Sequence, residues 1–199
     1  MTAAIWDAAL SAARDVHSSH PELSAFCEFP NDLDRQKVIP FYIPAADLLS
    51  REPGLDASLF AGLRDAIVAG GPLAHWRETY KDTDIGEDFL SRFGCYCLIG
   101  DGGAFSSQQM RAWIVYMPAK LHYRWHHHLG EEMYLVVAGE AEFFRKGAPP
   151  ETLRSGQTST HASNQPHAME TYENPVLALV IWRNGFDSIP VLTPSEVTG

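Results

Sequence analysis

The sequence predicts a mainly β chain: a small antiparallel barrel or jelly roll of short strands, with a helical extension at its N-terminal end. Three observations carry this. From about Tyr96 onward, apolar residues recur at period two or in short runs, broken by Gly, Pro, Asn and charged turns. Before that point they recur at helical spacing. And 199 residues, 45% of them hydrophobic, suit one domain with a real core. The expected division is a helical part over 1–94, packed on a barrel over 95–199 as one structural unit.

In chain order, Thr2 stands as the N-cap of a first helix whose apolar stripe is Ile5, Trp6, Ala9, Leu10, Ala13 and Val16. Pro21 in "SHPEL" ends that helix or opens another, because proline fits only a first turn. "FPNDLDRQKVIPFYIPA" reads as loop. Leu59, Phe60, Leu63, Ala66 and Ile67 form a second stripe, stopped by Gly70-Gly71-Pro72. "DIGEDFLSRF" is a short third helix. The strand-like runs are "YCLIG", "AWIVYM", "EMYLVVAG", "EAEFF", "QTSTH", "HAMETY" and "PVLALVIW". Gly139-Glu140, between two such runs, suggests a tight hairpin. Many short strands at this spacing suit a closed or double-sheet antiparallel fold.

Composition narrows the function. The net charge is −10, and phosphate backbones need a basic surface, so nucleic acid is not the expected partner. The opening residues lack a basic region followed by an apolar run, so no secretory signal is expected. No apolar run approaches a membrane span. Cys27, Cys95 and Cys97 are odd in number and not spaced as a zinc knuckle or redox pair. They read as buried free thiols, which suits a reducing, cytoplasmic location.

Six of the nine histidines lie between residues 122 and 167. His17, His20 and His75 read as surface or helix-end residues. Within "LHYRWHHHLGEEMYLV", strand parity sorts the polar groups. Side chains two apart share a face. His126 and His128 therefore project inward together and His127 outward, and parity also turns His122 inward. After a turn at Leu129-Gly130-Glu131, Glu132 and Tyr134 share the facing side of the next strand, with Glu131 outside. Neighbouring strands lie about 5 Å apart. His126, His128 and Glu132 can then ligate one ion through bonds of roughly 2.0–2.2 Å. His167, opening "HAMET", is the best fourth ligand. His161 is either a turn residue or a partner of a ligand.

The spacing also resembles a known superfamily. His126-x-His128-x3-Glu132, followed by six residues and Gly139, matches the first cupin motif, with Lys120 where a glycine is common. Gly156 to His167 has the spacing of the second, with Ala162 for its proline, Asn164 for its glycine and Thr171 for its asparagine. Asparagine tolerates a left-handed turn, so that turn can survive. The implied fold is a cupin, a double-stranded β-helix or jelly-roll barrel. "HWRETYKDTDIGEDFLSRFGCY", "WIVYMPAKLHYRWHHHLGEEMYLVVAGEAEF" and "SNQPHAMETYENPVLALVIWRNG" are more specific. They resemble the cupin-type dimethylsulfoniopropionate (DMSP) lyases, the dimethylpropiothetin dethiomethylases, of the Q-type.

The resemblance implies a metal-dependent carbon–sulfur lyase acting on a small substrate. DMSP would be cleaved to dimethyl sulfide and acrylate by β-elimination, with one divalent zinc, iron or manganese ion held by His126, His128, Glu132 and His167. Tyr134, two residues past a ligand and on its face, is the implied base. Bringing a phenol from a pKa near 10 to about 7 takes roughly 4 kcal/mol, which a nearby cation can supply. Aromatic faces attract a sulfonium, and the candidates are Tyr123, Trp125, Trp182 and Tyr42. Tyr123 is also an implied catalytic residue. On an unbroken strand it faces away from His126, so its place in the site requires either a bulge between them or an approach from a different level. "FYIPAADLL" could reach the pocket. The chain is expected to be a monomer or homodimer. The alternatives are another metallo-cupin enzyme, a sugar isomerase or Fe(II) dioxygenase, or a non-catalytic cupin that binds a small ligand.

Overall fold

Proline sets where two of the helices begin. In the computed structural model, which describes residues 2–56 and 59–194, α1 runs Thr2–Ser19 and α2 runs Pro21–Phe26. Pro21 sits in the first turn, where its missing N–H is not needed. Thr2 is already helical and so is not the cap expected of it. The two-residue strand β1 (Asp34–Arg35) precedes α3 (Pro44–Arg51), which Pro44 again opens. The sequence reading offers no helix here, because an eight-residue element is too short for its periodicity to stand out. Then come α4 (Ala61–Gly70), a 3₁₀ turn at Gly71–Leu73 and α5 (Glu87–Arg92). Leu63 and Ile67 of the α4 stripe face inward, while Leu59 precedes the helix and is exposed.

The strands follow as β2 (Gly94–Ile99), β3 (Phe105–Ser106), β4 (Arg111–Met117), β5 (Leu121–His127) and β6 (Glu132–Arg145). After them come β7 (Glu151–Arg154), β8 (Thr158–His161), β9 (His167–Thr171), β10 (Val176–Trp182) and β11 (Val191–Leu192). They pair in the order β1-β3-β2-β4-β10-β6-β9-β5-β11, with β7 and β8 also on β6. Among the strand pairs of the described residues, only β2–β3 is parallel. The result is the antiparallel jelly-roll barrel with N-terminal helices that the sequence predicts.

β6 organises this barrel. Its first half pairs with β10 and β8, its second half with β7 and β9. The expected hairpin at Gly139-Glu140 is therefore wrong: one 14-residue strand runs through it. The ladder with β10 slips there, between Leu177 and Ala178. Gly139 has φ +73, and a Cβ on it would lie 1.9 Å from the Pro175 carbonyl oxygen. The extra residue of the bulge is Val137, and Gly139, two residues on, lets the Pro175 backbone approach closely where the strand changes sheets.

Two apolar layers flank the main sheet. On β10 all seven residues are buried. Leu177, Leu179 and Ile181 face the layer made with Trp6, Ala9 and Ala13 of α1 and with Leu63 and Ile67 of α4. Val176, Ala178, Val180 and Trp182 face the barrel interior with Tyr123, Tyr134 and Val136. Burial on both sides explains why "PVLALVIW" reads as a continuous apolar run instead of an alternation.

The departures from the cupin pattern are absorbed locally. Among the described residues, Lys120 (φ +60) and Asn164 (φ +58) are the non-glycine residues at positive φ, and both occupy motif glycine positions. Thr171, at the motif's asparagine position, ties a turn. Its hydroxyl donates to the Pro118 carbonyl at 2.6 Å and accepts the Leu121 N–H at 3.0 Å, closing the turn before β5. Cys95 and Cys97 are buried free thiols as expected, but Cys27 is only half-buried. His17 departs from the surface reading: it is buried, its ring 5.3 Å from that of Phe29.

Candidate active site

A bulge in β5 decides which groups enter the barrel. The ladder with β9 shifts register between Tyr123 and His126. Tyr123 and His126 therefore both point inward, although simple parity separates them, and their rings stack 3.9 Å apart. The same shift turns His122 out to solvent, contrary to the parity reading, where it meets Glu170. It also turns Trp125 away. That ring packs 6.3 Å from Phe144 and does not line the cavity, so its expected pocket role is not supported. Tyr42 is 61% exposed and likewise outside the cavity.

The four predicted ligands converge. The ligating atoms of His126, His128 and His167 lie within 4.8 Å of one another, and those of Glu132, His161 and His167 form an overlapping group. Glu132 Oε1 is 3.2 Å from His128 Nε2 and 2.7 Å from His167 Nε2. All four side chains are essentially buried. His127 is outside the cluster, its Nδ1 bonded to the Thr193 hydroxyl. Glu131 is also outside, tied to Arg183 and Asn184.

Each histidine ligand is locked in one tautomer. The Nδ1–H of His126 donates to the Arg124 carbonyl at 2.9 Å, that of His128 to Gly130 at 2.9 Å, and that of His167 to Gln165 at 2.8 Å. A carbonyl can only accept, so each Nδ1 carries the proton and each neutral Nε2 offers its lone pair. This is how metal-bound imidazoles are held. The His167 Nε2 is buried without a hydrogen-bond partner, and its short contact with Glu132 sets a lone pair against a carboxylate oxygen. A cation between them relieves that opposition, so these residues fit a divalent metal.

Electrostatics agree. Burial alone would raise the Glu132 carboxyl, but attraction to positive charge on the side of His128 and His167 and the hydrogen bond from His161 outweigh it, holding the group well below the usual range. His126 is pushed well below its ordinary value by burial and by His167.

His126, His128 and Glu132 of the cluster line a cavity of about 350 Å³. Phe93, Trp113, Tyr123, Tyr134 and Trp182 line it too, as do the charged Arg77, Arg111, Asp101 and Asp187. Trp182 stacks on His128 at 4.2 Å and donates its Nε1–H to Glu132 Oε2 at 2.9 Å. Tyr123 shares a hydroxyl–hydroxyl bond of 2.9 Å with buried Tyr80. Tyr134 is buried between the rings of Phe143 and His161, 5.6 Å from each. Its hydroxyl makes no hydrogen bond among the described residues. Burial, with Glu132 next, pushes its phenol well above 10.

Sequence reasoning did not find Tyr80, which reaches the site from a loop whose sequence has no periodicity. It left His161 undecided. The structure gives His161 a place: completely buried, its Nδ1 2.8 Å from Glu132 Oε1.

Barrel, inward histidines and buried glutamate together define the chain as a cupin with a His/Glu cluster able to hold a metal ion. The sequence profile of the DMSP lyase family matches residues 28–178, and the chain belongs to that family. It is 46% identical over 181 residues to dimethylsulfoniopropionate lyase DddQ of Ruegeria pomeroyi, covering 91% of this chain and 90% of that one. A crystal structure of DddQ from Ruegeria pomeroyi superposes with a TM-score of 0.93 at 44% identity, over 95% of this chain and 96% of the other. A second, from work on the DMSP lyases RdDddP and RnDddQII, gives a TM-score of 0.93 at 40% identity, covering 98% of this chain and 100% of that one.

Proposed function

We infer that this chain is a metal-dependent lyase that cleaves DMSP to dimethyl sulfide and acrylate, with Tyr134 as the base. The observation that carries this is a buried tyrosine whose hydroxyl has no protein partner, in a cavity lined by His126, His128 and Glu132. Membership of the DMSP lyase family supports the substrate.

The Tyr134 oxygen takes the proton α to the carboxylate. The C–H electron pair forms the Cα–Cβ double bond, and the Cβ–S bond breaks with its pair going to sulfur. Atoms and charge balance without a redox partner. His126, His128, Glu132 and His167 would hold a divalent ion, which supplies an anchor for the substrate carboxylate and stabilises charge developing there. Burial and Glu132 raise the Tyr134 phenol, so it depends on that cation to reach the tyrosinate form. Trp182 and Tyr123 offer aromatic faces to the sulfonium, a contact worth about 0.5–2 kcal/mol each. Tyr80 fixes the Tyr123 hydroxyl. The mixed charges of Arg77, Arg111, Asp101 and Asp187 suit a zwitterion.

Zinc, iron and manganese all suit three imidazoles and a carboxylate. Among the described residues no helix is long and apolar enough to cross a membrane. With the free thiols this supports a cytoplasmic location, and we propose a monomer or homodimer. The test is headspace dimethyl sulfide from purified protein and DMSP, with and without chelator. Release that stops on chelation and returns with metal is expected. Release that ignores a chelator removing all bound metal would sink the reading.

A further inference from the structure

Glu132 is held from both sides of its strand. Opposite it on β8 is His161, and opposite it on β10 is Trp182, each its direct ladder partner. The two flanking strands send one donor each to the two carboxylate oxygens: His161 Nδ1 to Oε1 at 2.8 Å and Trp182 Nε1 to Oε2 at 2.9 Å. An indole N–H can only donate, so its half of the clamp is fixed. An imidazole can donate or accept at either nitrogen, but the ionised Glu132 only accepts, so Nδ1 carries the proton and Nε2 is left as an acceptor. The Ser159 hydroxyl lies 3.0 Å from His161 Nε2 and can donate to it, and both side chains are buried. The chain Ser159 Oγ–H to Nε2, then Nδ1–H to Oε1, is the arrangement in which every group has a partner of the right sense.

We propose that His161, backed at its far nitrogen by Ser159, is a positioning residue that presents Glu132 to the metal in a single orientation. This rests on the metal-centre reading of the preceding subsection. His161 also belongs to the overlapping cluster with Glu132 and His167, but its two ring nitrogens are already engaged by Glu132 and Ser159. It therefore has no free lone pair for an ion. Its ring stacks on His167 at 4.0 Å, which holds a ligand as well as a carboxylate in place.

The experiment measures Zn²⁺ and Mn²⁺ affinity of the full chain by competition with a chromogenic chelator, alongside apo melting temperature and the shift metal adds. The variants are His161→Leu, His161→Asn, Ser159→Ala and His128→Ala. His161→Leu should weaken metal binding about 10–100-fold and reduce the metal-induced melting shift. His161→Asn, which keeps a donor near Nδ1, should recover most of the loss. Ser159→Ala, with His161 in place, should show a smaller loss and keeps the proposal open to refutation should His161→Leu not fold. Metal affinity of His161→Leu within threefold of the parent would overturn the positioning role while leaving the metal centre standing. Loss as complete as in His128→Ala, with no rescue by His161→Asn, would make His161 a ligand and also overturn it. A parent chain that binds neither ion would instead sink the metal-centre reading.

Discussion

Tyr134→Phe separates catalysis from folding at one atom. The substitution removes only the phenolic oxygen, and that oxygen makes no hydrogen bond to the described protein. The ring keeps its contacts with Phe143 and His161. The stability change should therefore fall within about 0.5 kcal/mol, below the roughly 1 kcal/mol lost with a typical made hydrogen bond. The rate should fall much further. A positioned acid or base contributes about 10²–10⁴-fold, or about 2.7–5.4 kcal/mol at 1.36 kcal/mol per decade. The assay pairs dimethyl sulfide release at saturating metal with urea denaturation and metal content of the same preparation. Full metal occupancy, unchanged stability and activity down at least a hundredfold are expected. A metal-loaded, folded variant that keeps more than a tenth of parental activity refutes the assignment of the base.

Further perturbations test the scaffold. Gly139→Ala should cost about 2–4 kcal/mol in urea denaturation, because the new Cβ meets the Pro175 carbonyl at a positive φ; a loss below 1 kcal/mol would contradict the close approach. Tyr80→Phe should lose about 1 kcal/mol through its bond to Tyr123, and should raise KM more than it lowers kcat, as steady-state kinetics would show. In the metal-free protein, the folded-state pKa of His161 lies at about 4, below an unfolded value near 6.5. The unfolded chain binds the extra proton between these values, so stability is full above pH 6.5 and falls as pH drops toward 4. The expected loss from this group is about 3 kcal/mol, and denaturation of apo protein at several pH values reads it.

Much of the site was legible because a strand has a short, rigid period. His126, His128 and Glu132 follow from parity alone, and cupin spacing adds His167. The same period misleads wherever a ladder slips. The bulge between Tyr123 and His126 reverses parity, which is why His122 was assigned inward and why Tyr123 needed an irregularity to reach the site. Gly139 shows a different limit. A glycine at positive φ serves a hairpin and a close backbone approach equally, and only the partner strand tells them apart. Tyr80 and His161 were illegible for a third reason: each acts through contacts that only the assembled sheet creates.

The carbonyls that orient the three histidines come from Arg124, Gly130 and Gln165, each two residues from the ring it holds. All three stand at positions the cupin motifs leave unspecified. Those blanks are chemically occupied. A peptide oxygen is present whatever side chain stands there, so substitution at Arg124 and Gln165 can leave the imidazole orientation intact, while Gly130 is kept bare by Trp182, which a Cβ there would meet at 2.5 Å. The part of the centre that sets donor chemistry is thus written in the backbone, and a side-chain alphabet has no letter for it.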